Sequence, residues 1–149
     1  MNAAEWAVTD TVDDAARGIY MRHYSSWKRA AHARNPRFVG PGEAMVLVLP
    51  DYRALFVWRR SEFRLDEQEG VECTVFRNES PLCSSDLIRL ADEMAWRRWP
   101  GERHFTYVDP KSIRSNNPGY CFIQAGWKRL KHKSTRGFRI LEIHAPSKG

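Results

Sequence analysis

Long apolar runs are missing from this chain. No stretch approaches the roughly 18 residues that a membrane-spanning helix needs, so a membrane protein of the helical kind is not expected. The first residues, "MNAAEWAVTDTVDDAA", have neither a basic start nor an apolar centre, so no secretory leader is expected there. Cysteine is scarce. Cys73, Cys83 and Cys121 are an odd number without a C-x-x-C pair. That speaks against a disulfide framework or a zinc knuckle and fits a reducing, cytoplasmic setting. Acidic residues are absent from two long segments. "RHYSSWKRAAHARNPR" (22–37) holds Arg22, Lys28, Arg29, Arg34 and Arg37, and "GWKRLKHKSTRGFR" (126–139) holds Lys128, Arg129, Lys131, Lys133, Arg136 and Arg139. Segments of this kind suit a polyanion, either nucleic acid or a phosphate-rich cofactor, although a solvated basic surface has the same composition.

What is present is enough for one folded domain spanning 1–149. The 149 residues are 42% hydrophobic, with a formal charge of +6. A chain of this size buries about two thirds of the surface it exposes when unfolded.

The order of elements is legible from punctuation and period. Asp13 and Asp14 precede "AARGIYMRHYSSW", where Ala16, Ile19, Tyr20 and Tyr24 share a helical face. After the "VGPGE" turn, "AMVLVLP" reads as a buried strand and "RALFVWRR" as its hairpin partner. "VECTVFRNE" alternates Val71, Cys73 and Val75 against Glu72, Thr74 and Phe76, as a strand does. "SSDLIRLADEMAWRRW" is the strongest helix. Ser84 or Ser85 caps it, and Leu87, Leu90, Ala91, Met94 and Ala95 form its apolar stripe. "HFTYVD" is a strand. "NPGYCFIQAGW" (117–127) is a short helix stopped by Gly126, and two strands follow, the last in "GFRILEIHA". Helix, three strands, long helix, strand, short helix and two strands predict an α+β fold: a mixed, mostly antiparallel sheet with helices on both faces.

That order resembles the GNAT acyltransferase superfamily. There the N-terminus of the long helix binds coenzyme A pyrophosphate, and a short helix with a Gly–aromatic corner stands beside a split sheet. "PGYCFIQAGWKR" is similar to that short helix and corner. Within the superfamily, "HYSSW" (23–27), "VFRNES" (75–80), "SSDLI" (84–88), "TYVDP" (106–110), "NPGYCFIQAGW" (117–127) and "TRGFRILEI" (135–143) resemble the blocks of phage Mom-type DNA modification proteins. Such proteins place a methylcarbamoyl group, an acetamido-type adduct, on the exocyclic amine of adenine and so protect phage DNA from restriction enzymes. The resemblance implies a transferase with acetyl-CoA as cofactor and double-stranded DNA as partner, working in the host cytoplasm if phage-encoded. It implies catalytic roles for His23, Tyr24, Asp109 and Tyr120, and cofactor contacts at Arg77 and Ser85, to which the helix N-terminus adds Ser84. The loop "RNESPLCSSD" (77–86) departs from the family by having no glycine.

The chemistry of the residues agrees with several roles. Adenine's amine is a poor nucleophile, so it must be oriented and must lose its proton as the new bond forms. His23 titrates near neutrality. Asp109 ends a strand, where it is either a base or a turn starter before Pro110. Tyr24 and Tyr120 are candidates to orient a base or donate a proton, and Trp27 or Tyr24 to stack on a flipped adenine. Helix N-terminal amides at Ser84 and Ser85 suit a phosphate, or Ser84 and Ser85 are plain caps. Cys83 stands beside that helix start, where a thiolate is favoured. The DNA contacts expected are Arg22, Lys28, Arg29, Lys128, Arg129, Lys131, Lys133 and Arg136. A methylcarbamoyl group is more than an acetyl group, so a redox metal, with iron on His23, Tyr24 and Asp109, is an additional expectation. His32, His104, His132 and His144 read as peripheral. Two other classes fit the same sequence: an N-acetyltransferase for a small molecule or protein, and a DNA-binding protein without catalysis.

Overall fold

The computed structural model describes residues 5–11, 13–22, 42–61, 68–109, 119–134 and 136–146. Its elements are β1 (Ala7–Thr9), α1 (Asp14–Met21), β2 (Glu43–Val48), β3 (Ala54–Arg60), β4 (Val71–Asn78), α2 (Ser84–Arg98), β5 (His104–Val108), α3 (Tyr120–Gln124), β6 (Lys128–Lys133) and β7 (Arg139–Ile143). The strands form one mixed sheet in the order β1-β2-β3-β4-β5-β7-β6. Every neighbouring pair is antiparallel except β4 with β5. The architecture is α+β, as the element order predicts. No helix among the described residues is long and apolar enough to cross a membrane.

Both faces of the central strands are buried, which explains the unbroken apolar runs of β2 and β3. On one face, α1 sets Ala16, Ile19 and Tyr20 against Val46, Val48, Leu55, Val57 and Val75. On the other, α2 and α3 cover Leu47, Phe56, Trp58, Val71 and Cys73 with Leu87, Ile88, Ala91, Ala95 and Phe122. Each large apolar side chain sealed in this way contributes roughly 1.5–3 kcal/mol.

Asp13 starts α1 as its position suggests. Its Oδ1 accepts from the amides of Ala15 (2.9 Å) and Ala16 (3.1 Å), and Oδ2 accepts from Thr9 Oγ1 (2.6 Å) and Tyr52 Oη (2.9 Å). One carboxylate thus joins α1, the end of β1 and the β2–β3 turn.

Three sequence expectations change. The alternation of Val71, Cys73 and Val75 does not hold. Val57 pairs with Val75 and Trp58 with Cys73, so Thr74 is an extra residue, a β-bulge. The bulge turns Val75 to the α1 side, while Val71 and Cys73 face α2. Second, Cys83 is the N-cap of α2, not Ser84 or Ser85. The buried stripe of α2 includes Ile88 and Asp92 with Leu87, Ala91 and Ala95, while Leu90 and Met94 are only partly buried. Third, His104 is not peripheral: it is fully buried. The first strand, β1, is three residues long, too short to show a period.

Candidate functional site

The sheet opens between its two parallel strands. β4 and β5 pair at three positions, Val71 with His104, Glu72 with Phe105 and Cys73 with Thr106. Beyond Cys73, β4 continues to Asn78 beside β3, and β5 continues to Val108 beside β7. The parting has a local cause. The Thr74 bulge bends β4 where the pairing ends, because an extra residue disrupts the ladder and raises the twist. Thr106 Oγ1 donates to the Cys73 carbonyl at 2.8 Å, which satisfies that carbonyl at the fork. The closed end of the fork depends on Gly70. At φ +115°, a Cβ there would lie 2.1 Å from the Arg103 carbonyl, which accepts the Val71 amide at 2.8 Å.

The carboxyl ends of β4 and β5 lie on the same side of the sheet because the two strands are parallel. Open sheets with a parallel pair bind ligands at that side. The chain leaves β4 there through residues 79–83 and enters α2. In place of glycine this loop uses Asn78, which makes four hydrogen bonds. Its Oδ1 accepts from the Ser80 amide (2.9 Å) and hydroxyl (2.5 Å), and its Nδ2 donates to the Leu82 carbonyl (2.7 Å) and Ser84 Oγ (3.0 Å). Ser84 is thereby a loop anchor as well as the first residue of α2.

Ser85 Oγ lies 3.1 Å from Cys83 Sγ. No capping bond forms between the thiol and the helix, but the Ser85 hydroxyl, then the amide dipoles of Asp86 and Ser85, hold the exposed Cys83 thiol below its ordinary pKa. Asp86, whose charge opposes an anion at this helix start, is drawn aside by Arg89 at 2.7 Å. Arg77 is engaged: its Nε donates to Glu79 Oε2 at 2.7 Å. Arg22 grips the same carboxylate with two bonds of 2.7 Å, Nε to Oε2 and Nη2 to Oε1. Arg22 therefore stands at the end of β4. These two guanidinium groups, Arg22 first, hold the Glu79 carboxyl at about 2.

Asp109 follows the last residue of β5 and is buried. Tyr120 begins α3 and is half exposed, its hydroxyl accepting from Gln124 Nε2 at 2.7 Å. The residue before it, Gly119, sits at φ +81°, where a Cβ would touch Leu141 at 3.0 Å and Val108 at 3.6 Å. So α3 starts over the carboxyl end of β5, near Asp109. His23, Tyr24, Trp27, Lys28 and Arg29 lie outside the described residues. Among the described residues no three His, Cys, Asp or Glu side chains converge to hold a metal ion.

Strand register divides the second basic segment. Lys133 pairs with Arg139, which pairs with Val108, so the β6–β7 turn with Lys133 and Arg136 lies at the Asp109 end. Lys128 pairs with Glu142, next to the residue opposite His104, so Lys128 and Arg129 lie at the other end. Lys131 falls where the register slips by two residues, and it is exposed. β6 is also an edge strand, and lysines with an irregular register are how edges resist pairing with other sheets.

One buried constellation has no counterpart in the sequence reading. Asp92 of α2 accepts from His104 Nδ1 at 2.8 Å and from Trp127 Nε1 at 2.9 Å. Trp96 stacks on the imidazole at 4.5 Å and Trp58 leans on it at 4.4 Å. His104 Nε2 is buried without a protein partner. Burial raises the Asp92 carboxyl above its ordinary value, against the lowering effect of His104. This knot ties α2, β5 and the Gly126–Trp127 corner after α3. The one sequence signal was Asp92 standing four residues after Ile88, inside the apolar stripe. Comparison with family models, with curated proteins and with solved structures finds no match for this chain.

Proposed function

We propose that this protein is a GNAT-like transferase that adds a methylcarbamoyl group to the exocyclic amine of adenine in double-stranded DNA, with acetyl-CoA as cofactor. The observation that carries this reading is the fork between β4 and β5. A 15-residue helix leaves β4 at its open end, and a short helix with a Gly–Trp corner follows β5. A second line of support is the basic β6–β7 turn at that same end.

Coenzyme A fits the start of α2 in one respect: first-turn amides point out of a long helix, and Asp86 is neutralised by Arg89. Bound there, the cofactor would supply an activated thioester. An acetyl thioester carries neither the extra nitrogen nor the oxidation level of a methylcarbamoyl group, so a nitrogen donor and a two-electron oxidant act as co-reactants, while the chain's own residues bind, orient and move protons. Asp109, at the end of β5, accepts the proton that leaves the adenine amine. Tyr120, over the same strand end, donates a hydrogen bond or a proton to the leaving sulfur. His23 is the alternative to Asp109 as base, and Tyr24 stacks on the adenine, roles their chemistry suits; the Mom-type resemblance marks the same pair. Lys131, Lys133 and Arg136 hold DNA phosphates.

Nucleoside mass spectrometry on DNA from cells expressing the protein tests this directly. A modified deoxyadenosine is expected, lost in Asp109→Ala. Unmodified DNA at full expression of a folded protein would falsify the reading. The second reading is a DNA-binding protein without catalysis. It is favoured by one observation: the loop amides of Ser80 and Leu82, which a glycine-rich phosphate loop would aim outward, are used internally at 2.9 and 3.2 Å.

A further inference from the structure

We propose that Arg22, Arg77 and Glu79 form a phosphate site that Glu79 itself closes in the free protein. The identity of the ligand rests on the cofactor reading above; the existence of the site does not. Two guanidinium groups converge on one carboxylate oxygen. Arg22 Nε and Arg77 Nε both lie 2.7 Å from Glu79 Oε2. Two cations held that close to one point repel each other unless an anion stands between them. Glu79 supplies one negative charge against two positive ones, so the cluster keeps a net charge of +1. A phosphate dianion in place of Glu79 would balance both arginines, and its oxygens match the donor forks of two arginines better than a carboxylate does.

Three further facts make Glu79 a gate and not only a tie. All three side chains are open to water, with 52% of Arg22, 38% of Arg77 and 27% of Glu79 exposed. The backbone beneath is held independently. The Glu79 amide donates to the Arg53 carbonyl at 2.7 Å, and Asn78 fixes the loop on either side. The Glu79 side chain can therefore leave without unmaking the loop. Arg22 is the C-cap of α1 and Arg77 the next-to-last residue of β4, so an anion between them lies at the open end of the sheet.

A free anion competes with a tethered carboxylate whose effective concentration is millimolar or higher. The wild-type protein should thus bind inorganic pyrophosphate only weakly. Removing the competitor should help. Calorimetry with pyrophosphate, coenzyme A and a short DNA duplex on wild type, Glu79→Gln, Arg22→Gln and the double variant tests the proposal. Glu93→Gln, an exposed acid on α2, controls for net charge. We expect Glu79→Gln to bind pyrophosphate about tenfold tighter, the scale of one well-formed bidentate ion pair removed. The double variant should lose that gain, and Glu93→Gln should not show it.

Unchanged or weaker binding in Glu79→Gln, or an equal gain in Glu93→Gln, overturns the proposal. If Glu79→Gln does not fold, Arg22→Gln decides: binding undiminished from wild type overturns it. A gain shared by coenzyme A identifies a cofactor phosphate, and a gain shared only by the duplex identifies DNA phosphates. A pyrophosphate gain without any coenzyme A binding keeps the site and removes the acyl-CoA reading. Equal coenzyme A binding in wild type and Glu79→Gln, with no pyrophosphate gain in Glu79→Gln, does the reverse.

Discussion

Replacing Asp92 by alanine should cost this protein a large part of its stability. The carboxylate accepts two hydrogen bonds inside the core, from His104 Nδ1 and Trp127 Nε1. Alanine leaves both donors buried and without partners. Each orphaned group costs about 1–3 kcal/mol, so the pair costs about 2–6 kcal/mol. A domain of this size is stable by about 5–15 kcal/mol in total. Urea unfolding followed by tryptophan fluorescence reads the change, because Trp58, Trp96 and Trp127 all surround the knot. Asn should be milder than Ala. Its carbonyl oxygen can keep Trp127, while its amide can donate to His104 Nδ1 in the other tautomer. A double-mutant cycle with Trp127→Phe isolates the indole bond, and a coupling of about 1 kcal/mol or more is expected. The pH profile gives a further check. Burial raises the Asp92 carboxyl above 3.8, so the folded protein releases this proton later than the unfolded chain. Stability from this group therefore falls as pH rises from 3.8 through its folded value, and Asp92→Asn should remove that slope. A loss under about 1 kcal/mol in Asp92→Ala, with no coupling to Trp127, would show that the knot is not a structural tie.

Other outcomes are equally definite. Gly70→Ala should destabilise by several kcal/mol, since φ +115° and a Cβ 2.1 Å from the Arg103 carbonyl leave no room; a wild-type melting temperature would contradict the fork's geometry. Asp109→Asn and Tyr120→Phe should each lower modification of DNA by about 10²-fold while the folded spectrum stays unchanged, and near-normal activity in both removes them from the mechanism. Lys131→Ala with Lys133→Ala should weaken binding to any duplex and reduce the log–log salt slope by roughly two; an unchanged slope places the phosphates elsewhere. Glu79 is held at about 2, so its contribution is present above 4.5 and disappears as pH falls through about 2. Solvent screening leaves that contribution on the order of 1 kcal/mol. Acid unfolding of Glu79→Gln should lack that step.

Much of the frame could be read from the chain alone, because it is written in local period and punctuation. The apolar run 44–50, the stripe on α2 and the Gly126 stop each depend on neighbours within a few residues. Asp13 could be assigned to a helix start for the same reason. The side chosen by Val75 could not, since one bulged residue reverses the parity of everything after it. The site was legible only as residue types. Asp109 and Tyr120 share an end of the sheet because β5 and α3 meet there. Lys128 and Lys133, close in sequence, are separated by strand register. The ion pair of Arg22 and Glu79 joins residues 57 apart, and Asp92, His104 and Trp127 come from three elements. Spacing along the chain carries no information about such contacts. They follow from which strands pair and which helix covers them, and only the folded structure decides that.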